Sequence, residues 1–245
     1  MFLGRLDYEK HIHNLLKAVA MLPKSLNTQV EIVGDGGERE YLQNLALELG
    51  IAKNVKFLGH VTEQELPLAY ERATVFAMPS IAELQSIATM EAMASGRPVV
   101  AANAMALPHL VHDGDNGYLF EPDDVVEFSE KLKLVLTASA EELERLSENS
   151  LHLIQSHDIE RTINIFEGLY RGEGFESATS DDNSEDYLRP IGILSPTLHA
   201  RVLALRERAQ ALHEARPHAG LLGLRAGLAF GGIDALFDCL ARIAA

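Results

Sequence analysis

The sequence predicts an α/β fold built on a Rossmann-like, doubly wound parallel sheet. Three observations carry that prediction. Short apolar runs recur along the first two thirds of the chain, segments with helical spacing separate them, and glycine or polar loops follow the runs directly. Runs this uniformly apolar suit strands covered by helices on both faces, as parallel strands are.

The elements follow in order. MFLGRL, VEIVG, VKFLG and TVFAMPS read as the first four strands. Between them, residues 13–22 place Leu15, Leu16, Val19 and Leu22 on one helical face, and residues 39–49 repeat the pattern with Leu42, Leu45 and Leu49. Residues 63–72 form a shorter helix. A further helix is expected from about Ser86, then the strand RPVVAA, the segment LPHLV, a DGDNG turn and the strand GYLF. Helices over residues 123–137, 140–156 and 158–171 complete a domain spanning residues 1–172.

The character then changes. Residues 173–192 open rich in acids without a base, which suits a solvated linker. Within residues 193–245, Leu198, Val202, Leu205 and Leu212 share one helical face and Leu236, Phe237 and Leu240 another, with glycines between. This predicts a small helical C-terminal appendage whose apolar stripe needs a partner surface.

Composition narrows the function classes. The 245 residues are 47% hydrophobic, enough for a core, and the formal charge of -15 argues against a nucleic-acid partner, because phosphate binding needs a basic surface. A single cysteine, Cys239, excludes an intrachain disulfide and fits a reducing compartment. The start lacks the basic and apolar regions of a signal peptide, and no run approaches the roughly 20 apolar residues of a membrane span. A cytoplasmic location is expected, with peripheral contact at the inner membrane face left open.

In doubly wound sheets ligands bind at the carboxyl ends of the strands, so the loops after the strands hold the candidate site. They supply Arg5 and Lys10 after the first strand, Gly36 after the second, His60 after the third and Glu83 after the fourth. The cations can neutralise a diphosphate, and the helix starting near Ser86 and Ile87 directs free N–H groups the same way. Glu83 precedes that helix and Glu91 lies inside it, so the two carboxylates can hold opposite ends of an extended ligand whose negative middle rests at the helix start. A nucleotide sugar has that form, with vicinal hydroxyls at either end for a carboxylate to accept.

Taken in order, GRLDYEKHIHNLLKAVAML, VEIVGDGGEREYL, VKFLGHV and the paired glutamates of PSIAELQSIATMEAMASGRPVV resemble the C-terminal, donor-binding half of a retaining GT-B glycosyltransferase of the family 4 type. The resemblance implies that Arg5 and Lys10 contact the donor diphosphate and stabilise the leaving nucleoside diphosphate, that Glu83 contacts the transferred hexose and that Glu91 holds the ribose. It implies further that Ser86 and Ile87 offer backbone N–H groups to phosphate, that His60 lies near the nucleobase, and that a UDP- or GDP-linked donor is used with no cofactor and no metal. The acceptor is expected to be a glycan, a lipid or a small glycoside. Ser86 stands where family members usually carry glycine, and His109 where many carry an acid.

The resemblance also implies an N-terminal Rossmann-like domain forming most of the acceptor site. No stretch here corresponds to it, so it is expected in cis or in trans, and the isolated chain is expected to be inactive. Met1 directly before a core strand fits a truncated start. Two other readings stay open: a non-catalytic nucleotide-sugar binding module and a sugar-nucleotide epimerase. The DGDN of residues 113–116 reads as a turn rather than a metal motif, and His11, His13, His109 and His112 fall in two distant segments, a poor metal set.

Overall fold

In a computed structural model, β1 (Phe2–Leu3), β2 (Val30–Val33) and β3 (Val55–Gly59) pair in parallel in the order β1-β2-β3. A second parallel set, β4 (Phe76–Met78), β5 (Val99–Ala102) and β6 (Gly117–Phe120), pairs in the order β4-β5-β6. The structure describes residues 1–158 and 163–164, and Met1–Ile154 form one compact unit. The linker, the appendage, most of the helix expected at 158–171 and the boundary expected at residue 172 lie outside the described residues.

The two sets meet at β1 and β4. Met1 N donates to Val75 O at 2.9 Å and Ala77 N donates to Met1 O at 2.8 Å. The strand order is therefore 3-2-1-4-5-6, and the direction of winding reverses between β1 and β4. That reversal opens a crevice beyond their carboxyl ends.

The α-helices among the described residues are α1 (Ile12–Met21), α2 (Arg39–Glu48), α3 (Glu65–Arg72), α4 (Ile87–Ala94) and α5 (Leu107–Leu110), which lie between strands, and α6 (Val125–Leu136) and α7 (Ala140–Ile154), which follow β6. α1 packs against α2 and α6, and α4 against α7. Ile12, Leu15, Leu16 and Val19 of α1 are buried, each contributing roughly 1.5–3 kcal/mol of apolar transfer. β4 and β5 are buried at every position, as strands covered on both faces must be, whereas edge strand β3 exposes Lys56 and Leu58.

Local chemistry sets the boundaries. The first strand is shorter than its apolar run predicts: Gly4 N still donates to Val33 O at 3.1 Å, but the chain then hydrogen-bonds to the β2–α2 loop, Leu6 N to Asp35 O at 3.0 Å. α3 starts two residues later than its apolar spacing predicts. Thr62 and Glu65 cap it reciprocally, Thr62 N donating to Glu65 Oε2 at 2.9 Å and Glu65 N to Thr62 Oγ1 at 3.3 Å. α6 starts at Val125 rather than 123 because Asp123 is left-handed, φ 66°, and Asp124 becomes the cap, accepting from Glu127 N at 2.8 Å. The DGDN stretch is a turn, Gly114 N donating to Gly117 O, with Asp113 and Asp115 engaged by Leu119 N and by the Asn149 amide.

Candidate functional site

The β1–α1 loop carries Arg5 and Lys10 to the mouth of the crevice. Arg5 is 73% exposed and, among the described residues, is paired with acids of its own loop, Asp7 at 2.8 Å and Glu9 at 3.3 Å. Lys10 ends a short 3-10 turn, Tyr8–Lys10, after which His11 adopts a left-handed conformation at φ 48° and α1 begins. That turn points Lys10 across the crevice. Its Nζ lies 2.7 Å from Glu83 Oε1, with only 15% and 10% of the two side chains exposed.

The β4–α4 loop is fastened on both sides. Glu9 O accepts from Ser80 Oγ and from Ile81 N, both at 3.3 Å, tying this loop to the one after β1. Glu83 O accepts from Ala106 N at 3.0 Å, tying it to the loop after β5. Glu83 is therefore fixed at its backbone and at its carboxylate, and a cation and an anion stand side by side at the switch point.

α4 begins where that loop ends. Its cap residue Ser86 is buried but does not cap the backbone, since its hydroxyl is paired with Thr89 Oγ1 at 2.8 Å. The first-turn N–H groups of Ile87 and Ala88 thus have no side-chain acceptor, which leaves the positive helix end to a ligand. Ala92 and Met93 are buried in the core, which places Glu91 half-buried on the neighbouring face. Tyr70 of α3 donates its hydroxyl to Glu91 Oε2 at 2.8 Å. Burial raises the Glu91 carboxyl above its ordinary range and the Tyr70 hydroxyl pulls it partly back. Burial, and then the Glu91 charge, hold the Tyr70 phenol neutral far above its ordinary value.

Gly36 and His60 stand at the ends of β2 and β3. A Cβ on Gly36 would sit 2.6 Å from Leu6 O, so this glycine serves the close approach of two loops. Glu38 N completes that approach by donating to Leu6 O at 2.8 Å. The Gly36 N–H, with Arg39 and His60 nearby, holds Asp35 below its usual carboxylate range. His60 itself is exposed.

Of the residues expected from sequence, the structure brings Lys10 and Glu83 into direct contact and places Ser86 as the cap of α4 and Ile87 and Glu91 within it. Arg5, Gly36 and His60 follow β1, β2 and β3 and so lie on the same edge of the sheet, with Arg5 exposed. Two features had no signal in the spacing: Tyr70 as partner of Glu91, and a cluster of Tyr8, His11 and His13 beside the Lys10 turn. In that cluster the rings of His11 and His13 are 5.2 Å apart, and His11 Nδ1 is 2.9 Å from Asp123 Oδ1. Among the described residues no group of three or more His, Cys, Asp or Glu is arranged to hold a metal ion. No helix among them is long and apolar enough to cross a membrane.

A parallel sheet in the order 3-2-1-4-5-6, with the Lys10–Glu83 pair between the loops after β1 and β4 and the start of α4 following, defines a Rossmann-like domain. The chain belongs to the glycosyl transferases group 1 family, whose model matches residues 1–152. It is 36% identical over 128 residues to an uncharacterized glycosyltransferase of Methanocaldococcus jannaschii, covering 51% of this chain and 33% of that protein. It is 37% identical over 142 residues to the D-inositol 3-phosphate glycosyltransferase of Corynebacterium diphtheriae, covering 55% of this chain and 33% of that protein. Among solved structures, Anabaena HepE in complex with UDP superimposes with a TM-score of 0.63 at 29% identity, over 69% of this chain and 48% of that one. The matched stretch thus spans about a third of these relatives and half of the solved chain. The architecture is that of GT-B glycosyltransferases.

Proposed function

We propose that residues 1–172 are the donor-binding domain of a hexosyltransferase of the retaining, family 4 type, taking a UDP- or GDP-linked sugar without a metal at the donor site. The observation that carries this reading is the Lys10–Glu83 pair at the switch point, next to the uncapped start of α4. In a bound nucleotide sugar the β-phosphate and the anomeric carbon are joined through one oxygen. A cation and a carboxylate held 2.7 Å apart match those two neighbours. Lys10 and Arg5 take up charge on the diphosphate as the bond to the anomeric carbon breaks, the N–H groups at Ser86 and Ile87 add to that, and Glu83 accepts from hydroxyls of the sugar. Glu91 accepts from the ribose, and His60 lies toward the base.

The acceptor, a glycan or a lipid, is held largely by an N-terminal GT-B domain supplied in cis or in trans. The relatives, three times longer than the matched stretch, support that requirement. HepE, solved with UDP and with UDP-glucose, supports the donor class.

Calorimetric titration of the full chain with UDP, GDP and ADP and their glucose or mannose conjugates tests the reading. One nucleotide is expected to saturate without added metal, and Arg5→Ala and Glu91→Ala each weaken it about tenfold. Arg5 is exposed, so its removal leaves stability within about 0.5 kcal/mol and isolates the binding effect. A folded chain that binds none of them removes the donor-site reading.

A further inference from the structure

Glu91 is a half-buried acid with no cation within ion-pair distance among the described residues, in contrast to Glu83, which has Lys10. An ionised carboxylate taken partly out of water needs compensation from hydrogen bonds. Here one bond is in place. The hydroxyl of Tyr70, a side chain 2% exposed on α3, lies 2.8 Å from Glu91 Oε2, and the same hydroxyl lies 3.1 Å from Ala88 O one turn earlier on α4. The other carboxylate oxygen, Oε1, has no partner among the described residues and is not among the buried polar atoms lacking one.

We infer that Tyr70 is the positioning residue for Glu91: its hydroxyl immobilises Oε2 and so presents Oε1 to the vicinal hydroxyls of the bound nucleoside. The inference rests on the donor-site reading above and deepens it.

The geometry argues for more than a helix-to-helix tie. A phenol has one proton, and of its two acceptors the carboxylate is both nearer and charged, so the proton goes to Glu91 while that group is ionised. If Glu91 takes up a proton, it becomes the donor to the phenol oxygen and the phenol proton turns to Ala88 O. Tyr70 therefore satisfies both protonation states without moving its ring. The ring itself is pinned by packing, 5.9 Å from that of Phe76 in β4, so the hydroxyl is a fixed reference point against which the flexible Glu91 side chain is aligned. Freezing that rotamer before binding removes an ordering cost that the ligand would otherwise meet.

The test compares wild type, Tyr70→Phe, Glu91→Ala and the double variant, each as the full chain. Calorimetry measures affinity for the nucleoside diphosphate that wild type binds and for its 2′,3′-dideoxy form, which lacks the hydroxyls Glu91 would accept from. Tyr70→Phe is expected to weaken the ribonucleotide about 5- to 10-fold and to leave the dideoxy form within about twofold, with no further loss in the double variant over Glu91→Ala. Carbon-detected titration of the Glu91 carboxyl is expected to show its midpoint moving up in Tyr70→Phe, since the hydroxyl holds it down. Equal weakening of both nucleotides, or an unmoved carboxyl midpoint, overturns the positioning role and assigns Tyr70 to packing alone. Wild type binding no nucleoside diphosphate would instead defeat the donor-site reading, a separate result seen before any variant is made.

Discussion

Lys10 Nζ sits 2.7 Å from Glu83 Oε1, joining the loop after β1 to the loop after β4 across 73 positions of sequence. The pair is mostly shielded, so removing one member leaves the other desolvated and uncompensated. Lys10→Met is expected to lower the free energy of unfolding by about 3 kcal/mol in urea titration. Replacing both, as Lys10→Met with Glu83→Leu, is expected to recover most of that loss, because a buried pair is worth little over apolar contact. Single variants within about 0.5 kcal/mol of wild type would show that neither charge depends on the other for compensation.

Of the three β2–α2 glycines, Gly34 and Gly36 lie against backbone of the neighbouring loop and Gly37 does not. A Cβ on Gly36 meets the Leu6 backbone at 2.6–2.7 Å, which cannot yield without parting the two loops, whereas nothing lies within 4 Å of a Cβ on Gly37. Gly36→Ala is expected to cost about 2–4 kcal/mol, and Gly37→Ala to be neutral or to stabilise by up to about 1 kcal/mol through the unfolded chain. Thermal melting of both variants at one pH decides it.

Glu91 makes a pH-dependent contribution whose sign follows from its raised carboxyl. A carboxyl that binds its proton more tightly folded than unfolded favours folding at low pH, and that contribution is lost as pH rises from the ordinary value of 4.5 through the raised one. Glu91→Gln, which stays neutral and can still accept from Tyr70, is expected to raise the melting temperature at pH 7. The gain is expected to shrink toward zero as the pH approaches 4.5. A gain that is constant with pH would place its origin elsewhere. Under the proposed donor-site reading the same substitution is expected to weaken nucleotide binding, so stability and binding would move in opposite directions, as at sites strained for function.

The sequence by itself determined the sheet and its helices. Apolar runs too uniform for half-exposed strands, alternating with segments of helical period, admit few arrangements besides a parallel sheet covered on both sides, and β4 and β5 are buried throughout accordingly. It also placed Arg5, Lys10, Gly36, His60 and Glu83 in loops after strands, which the winding rule sends to one edge of the sheet. Where boundaries differ, at α3 and α6, side chains in the flanking turns moved the first helical residue, an effect of caps rather than of periodicity.

Only the tertiary structure decided the partners. Whether Lys10 meets a ligand, a neighbour on its own loop or Glu83 depends on the 3-10 turn before it and the left-handed His11 after it, which aim its side chain across the crevice. Whether Gly36 faces a ligand or the Leu6 backbone depends on how closely two loops approach. Tyr70 reads in sequence as one more residue of a short helix, and its meaning comes from α3 lying where its hydroxyl reaches Glu91. Periodicity reports which face of an element avoids water, a property of each segment alone. Pairing of polar groups is set by distances of a few ångströms between segments far apart in the chain, and no local pattern encodes those.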